Sequence, residues 1–146
     1  MKHLLVRDWM TKDVMTAAPS TRMLDAHKTM RENKIRRMPV CKKGKVIGIV
    51  TRSDVRQAEP SDATTLNVWE INYLLAKLEV KDIMTESVTT VRADDTIKEA
   101  ATLMYKERIG ALPVVADDNK LVGIITESDI FRVLIAWFNE EVESAG

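Results

Sequence analysis

Apolar and polar positions follow one rhythm twice along this chain. Each pass opens on a short lead-in, Val6–Thr11 or Val80–Thr85, crosses a β-type segment around Val14–Thr16 or Val88–Val91, and turns polar where a helix is due. In the second pass Thr96, followed by Glu99, has capping-box form, each side chain satisfying an amide left open in the first helical turn. Ser20 and Thr21 stand at that place in the first pass. Met23, Ala26 and Met30, and then Ile97, Ala100, Ala101 and Met104, recur at spacings of three and four, which gathers them on one core-facing stripe. The methionines therefore read as packing residues.

Two short strands follow in each pass, Met38–Cys41 with Val46–Val50 and Leu112–Val115 with Leu121–Ile125. Between them Lys43-Gly44 and Asp117-Asp118-Asn119 tolerate the backbone angles of a hairpin turn. The later strand of each pair is apolar at nearly every position, which predicts cover on both faces and a central place in its sheet. A helix is expected from Ser53 and from Ser128, the second running through Phe131, Leu134, Ile135 and Phe138 to an acidic, frayed end at Glu140–Gly146. Between the passes, Gln57–Glu79 starts as a loop at Glu59-Pro60-Ser61-Asp62 and becomes helical from about Leu66. Trp69, Ile71, Tyr73, Leu74 and Leu75 make that helix too apolar for a free linker.

The passes also match residue for residue. Val6/Val80, Asp8/Asp82, Met10/Met84, Thr11/Thr85, Ala26/Ala100, Met30/Met104, Ile35/Ile109, Pro39/Pro113 and Val40/Val114 share one offset; after a one-residue length change near Gly44, Gly48/Gly123, Thr51/Thr126, Ser53/Ser128 and Asp54/Asp129 share the next. Identity this dense marks a duplicated supersecondary unit. The expected organisation is repeat 1 over 1–58, a linker with a packed helix over 59–79, repeat 2 over 80–140 and a tail over 141–146. At 146 residues the chain has the size of one compact domain, so a single joint core is expected.

Charge and cysteine usage narrow the partners. The 22 basic and 22 acidic residues balance, leaving no global field that draws polyanions or membranes. Lys34-Ile35-Arg36-Arg37 is a short basic patch without interleaved aromatics, so no nucleic-acid partner is expected. The single Cys41 excludes an intramolecular disulfide, reads as a half-buried thiol on a strand and fits a reducing compartment. After Met1-Lys2-His3, the run Leu4-Leu5-Val6 is too brief for a signal peptide, and Val133–Phe138 falls far short of the roughly 20 residues that span a bilayer. A cytoplasmic protein without a membrane partner is expected.

Candidate chemistry concentrates at two equivalent junctions, Gly48–Asp54 and Gly123–Asp129. There an apolar strand feeds a helix, and Thr51, Ser53, Thr126 and Ser128 supply hydroxyls beside the carboxylates of Asp54 and Asp129. Open amides at a helix start suit a phosphate, and a carboxylate can accept from both hydroxyls of a ribose. Alternatively Ser53 and Ser128 are N-caps, with Asp54 and Asp129 favourable in the first turn; spacing alone leaves both readings open. Catalytic constellations are missing: there is no His-Glu-x-x-His, Gly-x-Ser-x-Gly, phosphate-binding glycine loop or cysteine cluster. His27 aligns with Ala101 and reads as a partly buried helix histidine. No catalytic residue, metal site or catalytic cofactor is expected, and hence no enzyme.

The segments Val80–Thr85, Ile109–Val115 and Leu121–Asp129, with their first-pass partners, resemble the cystathionine-β-synthase (CBS) domain family in its tandem form, the Bateman module. The stretch Pro60–Thr65, with Trp69–Leu75 after it, is most similar to stand-alone bacterial proteins of the acetoin-utilisation type. This resemblance implies an α/β (α+β) fold of two β-α-β-β-α repeats packed with pseudo-two-fold symmetry. It further implies clefts that hold an adenosine ligand, AMP, ADP, ATP or S-adenosylmethionine, as a regulatory ligand. Carried over, Asp54 and Asp129 hold ribose, and Thr51, Arg52, Ser53, Thr126 and Ser128 approach phosphate or sugar. On the adenine side, Thr16, Ile35 and Pro39 face Asp129, and Thr90, Ile109 and Pro113 face Asp54.

The clefts are not expected to be equal. Arg36-Arg37 is replaced by Gly110-Ala111, and Arg52 by Glu127, so forked phosphate donors belong to one copy only. The resulting expectation is a non-catalytic module that senses an adenine nucleotide, forms a homodimer through its outer helices and signals to an effector protein the sequence does not name. The alternative is a structural dimerisation module with empty clefts, favoured by the apolar linker helix and by Leu134, Ile135, Trp137 and Phe138.

Overall fold

The computed structural model describes residues 4–145, with side chains given as far as Val142, so readings placed on His3 and Gly146 lie outside the described residues. Among the described residues six α-helices and five strands follow in chain order: α1 (Met23–Glu32), β1 (Arg37–Lys42), β2 (Lys45–Thr51), α2 (Arg52–Ala58), α3 (Val68–Lys77), α4 (Val80–Ile83), β3 (Val91–Arg92), α5 (Ile97–Glu107), β4 (Ala111–Val115), β5 (Leu121–Thr126) and α6 (Glu127–Ala145). The chain divides into two compact units, one made of Met1–Val14 with Thr89–Gly146 and the other of Met15–Val88. These units are not the sequence repeats. Each repeat's lead-in is packed into the unit that carries the other repeat's hairpin.

In the unit of Met15–Val88, β1 and β2 form an antiparallel hairpin with Pro39 opposite Ile49 and Arg37 opposite Thr51. Its tight turn places Lys43 and Gly44 at positive φ, which a glycine adopts without steric cost. The expected strand around Val14–Thr16 is reduced to one bridge, Ala17 to Val40, and Thr85 of the second lead-in bridges Ile49 on the other side of the hairpin. In the other unit the order is β3-β4-β5, with β3 parallel to β4 and β4 antiparallel to β5. β4 is thus the central strand and β5 lies at the edge, which corrects the expectation from its apolar run. Its outer side is closed by a bridge between Ile124 and Thr11 of the first lead-in.

The single joint core expected from the length is replaced by two apolar clusters. One joins Ala17, Met23, Ala26, Met30, Met38, Val40, Val50, Val55 and Val80. The other joins Val6, Val91, Ile97, Ala100, Met104, Leu112, Val114, Ile125 and Val133. Each contains one lead-in valine, Val80 or Val6, that the sequence assigns to the opposite repeat, and both are fully buried. The helix stripes behave as their periodicity predicts. α5 starts at the capping box of Thr96 and Glu99, whereas α1 starts after Arg22 with no side-chain cap, so Ser20 and Thr21 do not act there. α6 continues to Ala145, through the stretch expected as a frayed tail. Among the described residues no helix is long and apolar enough to cross a membrane.

Candidate functional site

The two strand-to-helix junctions are built alike by local bonds. α2 starts at Arg52 and α6 at Glu127, one residue ahead of the serines expected to open them. The physical reason is a capping box at Thr51, whose Oγ1 accepts from the Asp54 amide at 3.1 Å while Asp54 Oδ2 accepts from the Thr51 amide at 2.8 Å. Ser53 and Ser128 therefore lie inside the first turn with exposed side chains. At the second junction Asp129 Oδ2 accepts from the Thr126 amide at 2.9 Å and from its hydroxyl at 3.2 Å.

The carboxylates then part ways. Asp129 is 5% exposed, and its Oδ1 accepts from Arg132 Nη1 at 3.0 Å, so both oxygens are engaged inside the unit. Asp54 is half-buried, and its Oδ1 takes no hydrogen bond among the described residues. Arg132 aligns with Gln57, which accounts for the difference. Both aspartates thus close the starts of their helices, and Asp54 alone keeps an oxygen without a hydrogen bond among the described residues.

Other expected residues fall around the junctions within each unit. α1 ends with Lys34 in the left-handed region, and α5 ends equivalently at Arg108. Ile35 and Ile109 then donate back to the carbonyls of Met30 at 2.9 Å and Met104 at 3.1 Å. This return sets Arg36 beside the start of α2, where the Arg52 amide donates to the Arg36 carbonyl at 2.9 Å; Glu127 repeats the bond to Gly110 at 3.0 Å. The Arg36-Arg37 pair is divided, since Arg36 lies in the bend before β1 and Arg37 opens the strand. Arg36 is exposed, and Arg37 is half-buried within β1.

Pro39 and Pro113 are fully buried and offer no surface to a ligand; their part is to shape β1 and β4. Thr16 is exposed, and Ile35, Thr90 and Ile109 are half-buried.

Two residues that sequence reasoning did not place at a site stand out. His27 and Arg56 join Arg36 and Arg52 around a cavity of about 450 Å³ within the unit of Met15–Val88. Arg52 and Arg56 lie one turn apart on α2, a spacing visible in the sequence, whereas the approach of His27 from α1 is not. His27 is half-buried, and its Nδ1 is a buried atom without a hydrogen-bond partner. Cys41, on β1, is a free, half-buried thiol whose pKa burial pushes up, against thiolate formation. Among the described residues no group of three or more His, Cys, Asp or Glu could hold a metal ion.

A duplicated helix–hairpin–helix unit, each copy opening its last helix on Thr-x-Ser-Asp, defines a tandem α/β pair. The CBS domain model matches residues 6–61 and 80–136, and the chain belongs to that family. Solved relatives include an acetoin utilisation protein (AcuB) from Vibrio cholerae, 32% identical, with 96% of each chain covered and a TM-score of 0.79. CBSX2 from Arabidopsis thaliana has been solved in complex with AMP; it is 29% identical, with 91% of this chain and 97% of that one covered and a TM-score of 0.75. The CBS domain pair of protein MJ0100 has been solved with 5-methylthioadenosine and S-adenosyl-L-methionine; it is 29% identical, with 90% and 96% covered and a TM-score of 0.74. CBS pairs related to this chain thus bind adenosine compounds. This chain spans 46% of the first curated relative it matches and 22% of the second.

Proposed function

We propose that the chain is a non-catalytic regulatory module that binds an adenine nucleotide at Asp54 and passes its occupancy to an effector protein. The observation that carries this reading is the unengaged Oδ1 of Asp54 beside a fixed Thr51, an acceptor suited to a ribose hydroxyl. In the proposed cleft Thr51, Arg52, Ser53 and Arg36 attend phosphate or sugar. The counterpart at Asp129, with Thr126 and Ser128, binds more weakly, because Arg132 already occupies the second oxygen and Glu127 replaces an arginine. The AMP complex of CBSX2 and the adenosine complexes of the MJ0100 pair support the ligand class.

Calorimetric titration with adenosine, AMP, ADP, ATP and S-adenosylmethionine tests the reading. One saturable site, lost in Asp54→Ala and kept in Asp129→Asn, is expected; absence of heat with every one of these ligands overturns it.

A second reading, self-association, has its own observation. On α6 the side chains of Phe131, Ile135, Phe138 and Val142 are 56% to 72% exposed and follow the four-three-four spacing of a helix seam. Trp69 and Tyr73 add exposed area on α3. We propose a homodimer through these helices, compatible with ligand binding. A monomer in Phe131→Asp/Phe138→Asp by light scattering supports it, and an unchanged mass overturns it.

A further inference from the structure

We propose that the lysine turn between β1 and β2 is an interaction surface for a second copy of this chain, which docks there through the aspartate turn between its own β4 and β5. The balanced charge of the chain is a cancellation between its two units. The unit of Met15–Val88 carries 13 basic against 9 acidic residues, a net of +4, and the unit of Met1–Val14 with Thr89–Gly146 carries 9 against 13, a net of −4. Between two copies, like units repel and unlike units attract.

The imbalance is sharpest at the hairpin turns. Lys42 and Lys45 stand directly opposite each other on β1 and β2, Lys43 lies between them at positive φ, and all three are exposed. Like charges placed opposite destabilise a hairpin, and among the described residues none of these lysines has an ion pair that offsets the repulsion. A docked surface of carboxylates removes it.

The second repeat supplies that surface. Asp117, Asp118 and Asn119 stand where the first repeat has Lys43 and Gly44, and Asp94 and Asp95 where it has Ser20 and Thr21. These acids gather at one corner: Asp117 Oδ1 accepts from Arg92 Nη2 at 2.8 Å, and Asp94 and Asp95 act on the same guanidinium by their charge. One arginine leaves the corner negative, and Asp94, Asp117 and Asp118 are exposed. A second copy is favoured over a nucleic acid, because the lysine turn holds no aromatic side chain on which a base could stack, whereas the chain itself carries the matching acids. A two-fold axis makes the contact twice, once in each direction, and closes the assembly at two copies. The proposal rests on the homodimer reading above and adds which units meet: the unit that carries α6 in one copy faces the unit that carries α3 in the other.

The test is sedimentation equilibrium of the whole chain across a salt series, with two variants, Lys42→Glu/Lys43→Glu/Lys45→Glu and Asp94→Lys/Asp118→Lys. All five positions are exposed, and a thermal melt checks each fold; should one variant not melt cooperatively, the other and the salt series decide. Dimerisation is expected to weaken at least about ten-fold from about 0.03 M to about 0.5 M salt, and at least about ten-fold in each variant alone. Mixing the two variants restores it, because every turn then meets its opposite. Dimerisation that salt strengthens or leaves unchanged, or that both variants retain, overturns the proposal and leaves the helix seam standing. Loss in the lysine variant with full retention in the aspartate variant overturns it too, since the lysines then meet a different surface. A chain that is monomeric under every condition overturns both this contact and the seam.

Discussion

Asp54 and Asp129 occupy equivalent places in two copies of one motif, and their surroundings give them different work. Each accepts the amide of the threonine three residues before it, a cap worth about 1 kcal/mol. Asp129 alone is buried, takes the Thr126 hydroxyl as well and pairs with Arg132, which lies over the Trp9 ring at 5.4 Å. Removing it leaves several donors unmatched inside a packed unit. Asp129→Ala is therefore expected to cost about 2–3 kcal/mol in urea unfolding and Asp54→Ala about 1 kcal/mol. Ligand binding should show the opposite order. The motif was legible in the sequence, but the fate of each oxygen was not, since it turns on Arg132 and Gln57, residues outside the motif.

At the scale of elements, the strands meet the exchanged lead-ins at glycine. A β-carbon built on Gly48 would lie 2.6 Å from Met84 Sδ and 3.0 Å from the Thr85 carbonyl oxygen. One built on Gly123 would lie 2.7 Å from Met10 Sδ and 2.9 Å from the Thr11 carbonyl oxygen. The methionine ends can yield; the carbonyls, held by the Ile49–Thr85 and Ile124–Thr11 bridges, cannot without losing backbone hydrogen bonds. Gly48→Ala and Gly123→Ala are each expected to lower stability by about 1–3 kcal/mol, read by chemical denaturation. The helices and hairpins were readable because periodicity, caps and turn residues are local. The displaced helix starts were not, because threonine and serine are both good caps and only the hydrogen bonds choose between them. The apolar run of β5 misled for a related reason: apolar composition does not tell a central strand from an edge strand closed by a bridging lead-in, and β4 is buried at every position while β5 is buried only at Gly123 and Ile125.

At the scale of the whole molecule, the exchange of lead-ins decides what counts as a folding unit. The cluster around Met23 and Met30 needs Val80 and draws in Ile83 and Met84, all from beyond the first repeat. A fragment of residues 15–88 is expected to show a cooperative thermal transition by circular dichroism, whereas residues 6–61, the repeat as the family model bounds it, should show none. A cooperative 6–61 fragment would mean that the lead-in is dispensable.

By itself the sequence determined the duplication, the helix and strand pattern and the resemblance to the family, because each is written in residue type and spacing over a few turns of chain. Only the tertiary structure decided that there are two cores rather than one, that Arg36 and Arg37 part company, and that His27 and Arg56 close a cationic cavity with Arg36 and Arg52. Those outcomes depend on which distant segments come together. No local propensity encodes that, since it is settled by the burial of whole faces at once.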